Sequence, residues 1–248
     1  CVFYSVLIST AVMFVKPEAR SLTTWVESWL VLSHTDLWYV PAYFGLMLIS
    51  PLLNAGSENL SKDQFSICLS VFVAFNLWCG WWWGGSFNPT GYTLVQLMMI
   101  YLIARYLRLH AAHCQIAGSR KPVIIIYVLS LAGIFVSAFH IPEKAFAYNS
   151  PFVVLCSVTM FRLFAGLKFR SVFINRLAAG AFSVYLIHKA PPVWGGLIKP
   201  TVARMWNLLP LWQFTVFALF LCAAIYLGSW CVDRVRLAVS NRLLHDRR

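Results

Sequence analysis

The sequence predicts an all-α protein, a polytopic integral membrane bundle of about eight transmembrane helices. Three observations carry this. Hydrophobic residues make up 60% of the 248-residue chain and charged residues only 11%, against about 25% charged in a soluble domain. The apolar residues gather in runs close to the roughly 20 residues that a helix needs to cross ~30 Å of hydrocarbon. Lys and Arg fall in short clusters between those runs, as topology signals do in membrane chains. Backbone groups in lipid must bond within the structure, and the ~10-residue alternation of a β-barrel is absent, so the runs read as helices.

The first run, 1–15, begins inside an apolar stretch on Cys1, and the chain is expected to be the remainder of a longer protein. In the segment 16–36, "TTWVESWLVLS" reads as a short interfacial helix, because Trp favours the headgroup level. The second run is 37–55, with Pro41 and Pro51 inside it; membrane helices tolerate or kink at proline. The third and fourth, 65–84 and 91–108, share one uncharged stretch between Asp63 and Arg105. "SFNPTG" (86–91) must therefore be the turn dividing them, and "WWWGG" (81–85) reads as an interfacial belt leading into it. The fifth and sixth runs are 122–140 and 150–167, joined through "HIPEKAFAYNSP". The seventh is 171–189, and the stretch 190–210 leads to the eighth, 211–232.

Eight spans place fourteen of the 20 Lys and Arg on one side and six on the other. The richer side is cytoplasmic by the positive-inside rule. Both ends then face the cytoplasm, while 16–36, 140–151 and 190–210 face outward. One membrane domain is expected over 1–248, with no internal repeat.

The net charge of +12 does not point to nucleic acid, since no basic stripe interleaved with aromatics occurs. Seven cysteines are present, mostly within apolar runs and never as CxxC, so neither a disulfide framework nor a zinc site is expected. No metal site is expected elsewhere, and no nucleophile elbow, Walker loop, HExxH or defensible pair of carboxylates occurs. Glu27 and Asp36 are the acids nearest the outer end of the second span.

Ionisable and aromatic groups that break the apolar pattern are the candidates for chemistry. His188 closes "AFSVYLIHKAPP", with Tyr185 three residues earlier on the same helical face. The plain reading is a side chain reaching toward water at a span end, as Lys189 can do. The functional reading is a histidine facing the interior, where polar groups are costly and usually serve a site. "ARYLRLHAAH" sets Arg105 with Arg108, and His110 with His113. This is either a topology anchor with a solvated helix end or a cytoplasmic cradle for phosphates, which arginine suits. Trp38, Tyr39 and Tyr43 open the second span as an aromatic belt or, in the sharper reading, a sugar-stacking platform. Arg162, near the inner end of the sixth span, reads as snorkelling.

"FSVYLIH" (182–188) resembles a signature of the membrane-bound acyltransferase-3 family. "WYVPAYFGLMLISPLLN" (38–54), "GYTLVQLMMIYLIARYLRLH" (91–110) and "YNSPFVVLCSVTMFRLFAGLKF" (148–169), followed by "INRLAAGAFSVYLIH", are similar to that family in order and spacing. Together they cover nearly the whole chain. The resemblance implies ten core spans with both ends cytoplasmic, in a bacterial inner (cytoplasmic) membrane. It implies O-acylation of a sugar hydroxyl, on a surface polysaccharide or lipid-linked glycan, from a cytoplasmic acyl-CoA, with acetyl-CoA as donor substrate and no bound cofactor. The family's main catalytic histidine and an RxxR pair would lie upstream of Cys1, and activity would require them. His188 and Tyr185 would then support catalysis near the acceptor mouth, Arg105 and Arg108 would meet the donor phosphates, and Trp38, Tyr39 and Tyr43 the acceptor. The alternatives are a transporter or flippase of a lipid-linked glycan, using the same residues without covalent chemistry, and a non-catalytic membrane subunit.

Overall fold

The eight predicted spans are helical in the computed structural model, which describes residues 1–15, 22–30, 37–84, 87–110, 120–165, 167 and 170–245. Helix α1 is Val2–Val15 and α2 is Leu22–Glu27, the latter within the segment expected to hold a short helix. Then come α3 (Tyr39–Glu58), α4 (Lys62–Phe75), α5 (Leu94–His110), α6 (Arg120–His140), the single turn α7 (Pro142–Ala145) and α8 (Pro151–Ala165). The remainder is α9 (Val172–Ala178), α10 (Ala181–His188), α11 (Pro191–Val193), α12 (Lys199–Leu208) and α13 (Leu211–His245), with no strand among the described residues. Tyr39–Glu58, Lys62–Trp82, Arg120–His140 and Leu211–Arg242 are long and apolar enough to cross a membrane. Val2–Phe14, Pro151–Ala165 and Val172–His188 are shorter apolar helices. The chain is an all-α membrane protein.

Three departures from the expected spans have local causes. The third run starts earlier, at Lys62, because Ser61 and Gln64 form a reciprocal capping box: Gln64 N–H donates to Ser61 Oγ at 3.3 Å and Ser61 N–H to Gln64 Oε1 at 3.0 Å. The seventh is split into α9 and α10 at Ala179–Gly180. A Cβ on Gly180 would stand 2.7 Å from Trp230 Cδ1, so the glycine admits the α13 indole against the backbone. The eighth runs on to His245, a 35-residue helix. At ~1.5 Å per residue that is roughly 50 Å, well beyond the ~30 Å of hydrocarbon. Charges such as Asp233 and Arg236 end a hydrophobic run but do not end a helix.

The stretch 190–210, which the sequence marks only as a connection, is largely helical: α11, a π-helical segment Trp194–Ile198, and α12. Pro200 has no N–H to give to Gly196, and the chain just before it takes the wider register, with Lys199 N–H bonding Trp194 O.

Contacts gather the chain into two compact units, Cys1–Val40 with Phe169–Arg248, and Pro41–Lys168. In the first unit, Tyr4, Leu37, Val40 and Leu186 form the buried core, with Tyr185, Ile187 and Val232 packed on it. The same unit holds a buried carboxylate, Asp233. The Tyr4 hydroxyl donates to it, and Arg236 Nε donates to Asp233 Oδ1 at 2.8 Å and to the Tyr4 hydroxyl at 3.0 Å. An unpaired buried charge would be costly, so this trio ties α1 to α13.

In the second unit α4 continues as a π-helical segment, Asn76–Trp82, and its inner face carries a network of amides. Asn76 Nδ2 donates to Gln96 Oε1 at 2.9 Å, and Asn88 Nδ2 donates to Asn76 Oδ1 at 2.8 Å. Thr93 donates to Asn88 Oδ1 at 2.7 Å, Gln96 Nε2 donates to Tyr148 O at 2.7 Å, and Asn149 Nδ2 donates to Asn88 O. The 87–93 turn is drawn against this network. Gly91 makes that possible with φ of +80°, where any Cβ would meet Asn149 N at 2.6 Å.

Candidate functional site

Helix α10 carries the histidine. Its start is fixed by Ser183, whose Oγ lies 2.6 Å from Gly180 O and 3.3 Å from Ser229 O on α13. Its last residue, His188, is partly buried. His188 Nδ1 lies 2.6 Å from Val184 O. A carbonyl oxygen only accepts, so Nδ1 carries the hydrogen, which leaves Nε2 as the ring nitrogen not committed to the helix.

Around His188 runs a sequence of rings. Tyr185 meets it edge-on at 6.3 Å, and Tyr185 in turn meets Tyr39 at 5.5 Å. Tyr39 contacts Trp38 at 5.8 Å, and on the far side His188 meets Trp194 at 6.4 Å. Lys189 Nζ sits 4.4 Å over the Trp194 ring, a cation–π contact. The structure thus brings together His188, Tyr185, Trp38 and Tyr39, four residues singled out in the sequence. Tyr43 lies a turn further along α3 in the other unit, with an exposed ring.

Beyond His188, α10, the π-helical segment, α12 and α13 line a cavity of about 750 Å3 that is open along one side. Its walls are aliphatic and aromatic, with His188, Lys199, Asn207 and Tyr226 as the main polar lining groups. The Tyr226 hydroxyl is committed to Leu177 O at 2.9 Å.

The arginine pair lies in the second unit, at the carboxyl end of α5. Arg105 ion-pairs with Glu58 and donates from Nε to Ser57 Oγ at 2.8 Å, tying α5 to the end of α3. Much of its charge is therefore answered within the fold. Arg108 is exposed. His110 packs on Tyr106 at 4.9 Å and Phe65 at 6.3 Å, and Arg162 is partly buried in α8. His113 and Asp36 lie outside the described residues.

Sequence reading missed Asp233 and its partners, and the amide network. Both left faint signals. Asp233 and Arg236 stand i, i+3 on one helix, and Asn76, Asn88 and Gln96 are amides in a stretch without charges. Nothing local showed that Tyr4 or Asn149 would meet them.

The fold defines a class, an all-α membrane protein with an ionisable group set among aromatic rings. The family model of the acyltransferase-3 domain, described as an acyltransferase domain, matches residues 1–234, and the chain belongs to that family: it is a membrane acyltransferase. No curated relative and no solved structure matches it significantly.

Proposed function

We propose that the protein moves an acyl group, acetyl as the first candidate, from a cytoplasmic acyl-CoA to a sugar hydroxyl of a surface polysaccharide or lipid-linked glycan. The membrane is a bacterial inner membrane, with both ends of the chain cytoplasmic. One observation carries the reading within the family. His188 commits Nδ1 to its own helix and leaves Nε2 beside a run of aromatic rings on which a sugar can stack.

In this reading the sugar lies on Trp38 and Tyr39, and a hydroxyl beside the reacting one hydrogen-bonds His188 Nε2, with Tyr185 holding the imidazole edge. The reacting hydroxyl oxygen attacks the thioester carbonyl carbon, the carbon–sulfur bond breaks, and the ester forms. The hydroxyl proton passes to the main base and then to the departing CoA thiolate. The family resemblance implies that this base is a residue other than His188, so His188 orients the sugar. Arg108 offers an open guanidinium to the donor phosphates, and Arg105, anchored on Glu58, sets the helix end that presents it.

The test is transfer of labelled acetyl from acetyl-CoA to glycan by the protein in nanodiscs, with His188→Ala and His188→Gln. Transfer is expected to fall roughly 10–100-fold, short of the 10²–10⁴ of a full general base. Wild-type rates in both variants would remove His188 from the site. The apolar cavity is the observation that favours the flippase reading. There, labelled glycan would change leaflet and no acetyl group would move.

A further inference from the structure

We propose that the cavity between α10, α12 and α13 holds the hydrocarbon tail of the acceptor, which is therefore a phosphate-linked glycolipid rather than a free polysaccharide. This rests on the acyltransferase reading for the word acceptor, but the cavity assignment stands on its own geometry.

Size comes first. A volume of about 750 Å3 lies within the roughly 300–1,000 Å3 of sites that enclose whole organic ligands, and far exceeds what an acetyl group fills. Shape comes next. The lining on α13 runs from Phe214 to Tyr226, roughly 18 Å of helix at ~1.5 Å per residue. A space drawn out along a helix suits a chain better than a compact headgroup. The walls agree, since Tyr226 has spent its hydroxyl on Leu177 O and presents its ring.

The distribution of charge selects the kind of chain. Two lysines flank Trp194, itself a wall of the cavity, in the chain: Lys189 lies over its ring, and Lys199, which follows its segment, lines the cavity. That end suits an anionic phosphate. His188 also belongs to the ring sequence reaching Tyr185, Tyr39 and Trp38. Tail in the cavity, phosphate by the two lysines and sugar on the rings follow in the order in which a phosphate-linked glycolipid is built.

The experiment uses the protein in nanodiscs and a polyprenyl-phosphate-linked sugar with a diazirine in its chain. Adducts are mapped by peptide mass spectrometry. Labelling is expected on α12 around Ala203–Trp206 and on α13 around Ala218–Ile225, displaced by the unlabelled glycolipid but not by equal phosphatidylglycerol or palmitoyl-CoA. Ala218→Trp, which fills the cavity, should cut labelling at least fivefold. Lys199→Gln, which leaves its volume open, should cut it about threefold by weakening the hold on the phosphate. Equal displacement by phosphatidylglycerol would overturn the proposal in favour of bulk lipid, and displacement by palmitoyl-CoA in favour of the donor's chain. So would labelling that Lys199→Gln and Ala218→Trp both leave unchanged. Acetyl transfer is measured beside it. Efficient transfer to a tail-less oligosaccharide would overturn the glycolipid acceptor and leave the acyltransferase reading intact. Cavity labelling without any transfer would uphold the tail site and remove the acyltransferase reading.

Discussion

The amide network beside the π-helical end of α4 and the cavity beside α10 solve opposite problems. In the first, Asn76, Asn88, Gln96 and Asn149 are almost completely buried. Hydrocarbon offers no water, so their amide N–H groups answer one another's oxygens and the nearby carbonyls, while Asn149 Oδ1 has no partner. In the second, space is left open and polar atoms are few, and His188 at one end commits only Nδ1 to its helix. Polar groups used up in mutual bonds build a framework, whereas a polar group left with capacity beside an apolar space is available to a ligand. The contrast predicts that damage to the first region is read as stability, and damage to the second as activity.

The largest effect tests the framework. Asn88→Ala would orphan the buried Asn76 Oδ1 and take away the acceptor of the partly buried Thr93 hydroxyl, which still accepts from Gln96 N–H. An orphaned buried acceptor costs about 1–3 kcal/mol and a lost hydrogen bond about 1 more, so thermal or denaturant unfolding in nanodiscs should show a loss of about 2–4 kcal/mol. A stability like that of wild type would dissolve the distinction between the regions. His188→Ala comes next, with the transfer loss given above and an unfolding midpoint close to wild type. A matching loss of stability would make the histidine a packing residue.

A finer probe is Tyr226→Phe, which keeps the cavity wall but removes the bond to Leu177 O. It should cost about 1 kcal/mol and leave glycolipid labelling unchanged, and a collapse of labelling would assign the hydroxyl to the ligand. The smallest effect belongs to Ser150→Ala. The Ser150 hydroxyl is buried without a hydrogen-bond partner, so its removal relieves an unmet group and should be neutral or slightly stabilising. A loss above about 1 kcal/mol, the usual net worth of a hydrogen bond, would show that the hydroxyl is bonded in the working protein.

Local pattern carried a good part of this fold. The positions of the spans, the turn at Asn88–Gly91 and the shared face of Tyr185 and His188 all follow from apolar runs, breakers and helical period. What pattern missed depends on partners far apart in sequence. Asn76 meets Gln96, Tyr4 meets Asp233, and Arg105 meets Glu58. No run of residues announces such a pairing. The same limit hid the approach of Tyr39 to Tyr185, which turned two separately chosen candidate sets into one cluster. The cavity was hidden for another reason. Its wall includes the stretch 190–210, whose prolines and glycines mark an interruption, and a π register carries the helix through it.

The Trp230 indole against Gly180 has a geometrical consequence for the histidine. It marks a fixed origin, and the eight residues of α10 lay off a set length from it, roughly 12 Å at ~1.5 Å per residue. Helix α10 is thus a gauge block with the imidazole at its measuring end. One residue added between Tyr185 and Ile187 would lengthen the gauge by only ~1.5 Å but turn its tip by about 100° at 3.6 residues per turn, carrying His188 off both its ring partners and the cavity mouth. The segment can exchange one side chain for another, but its count is fixed.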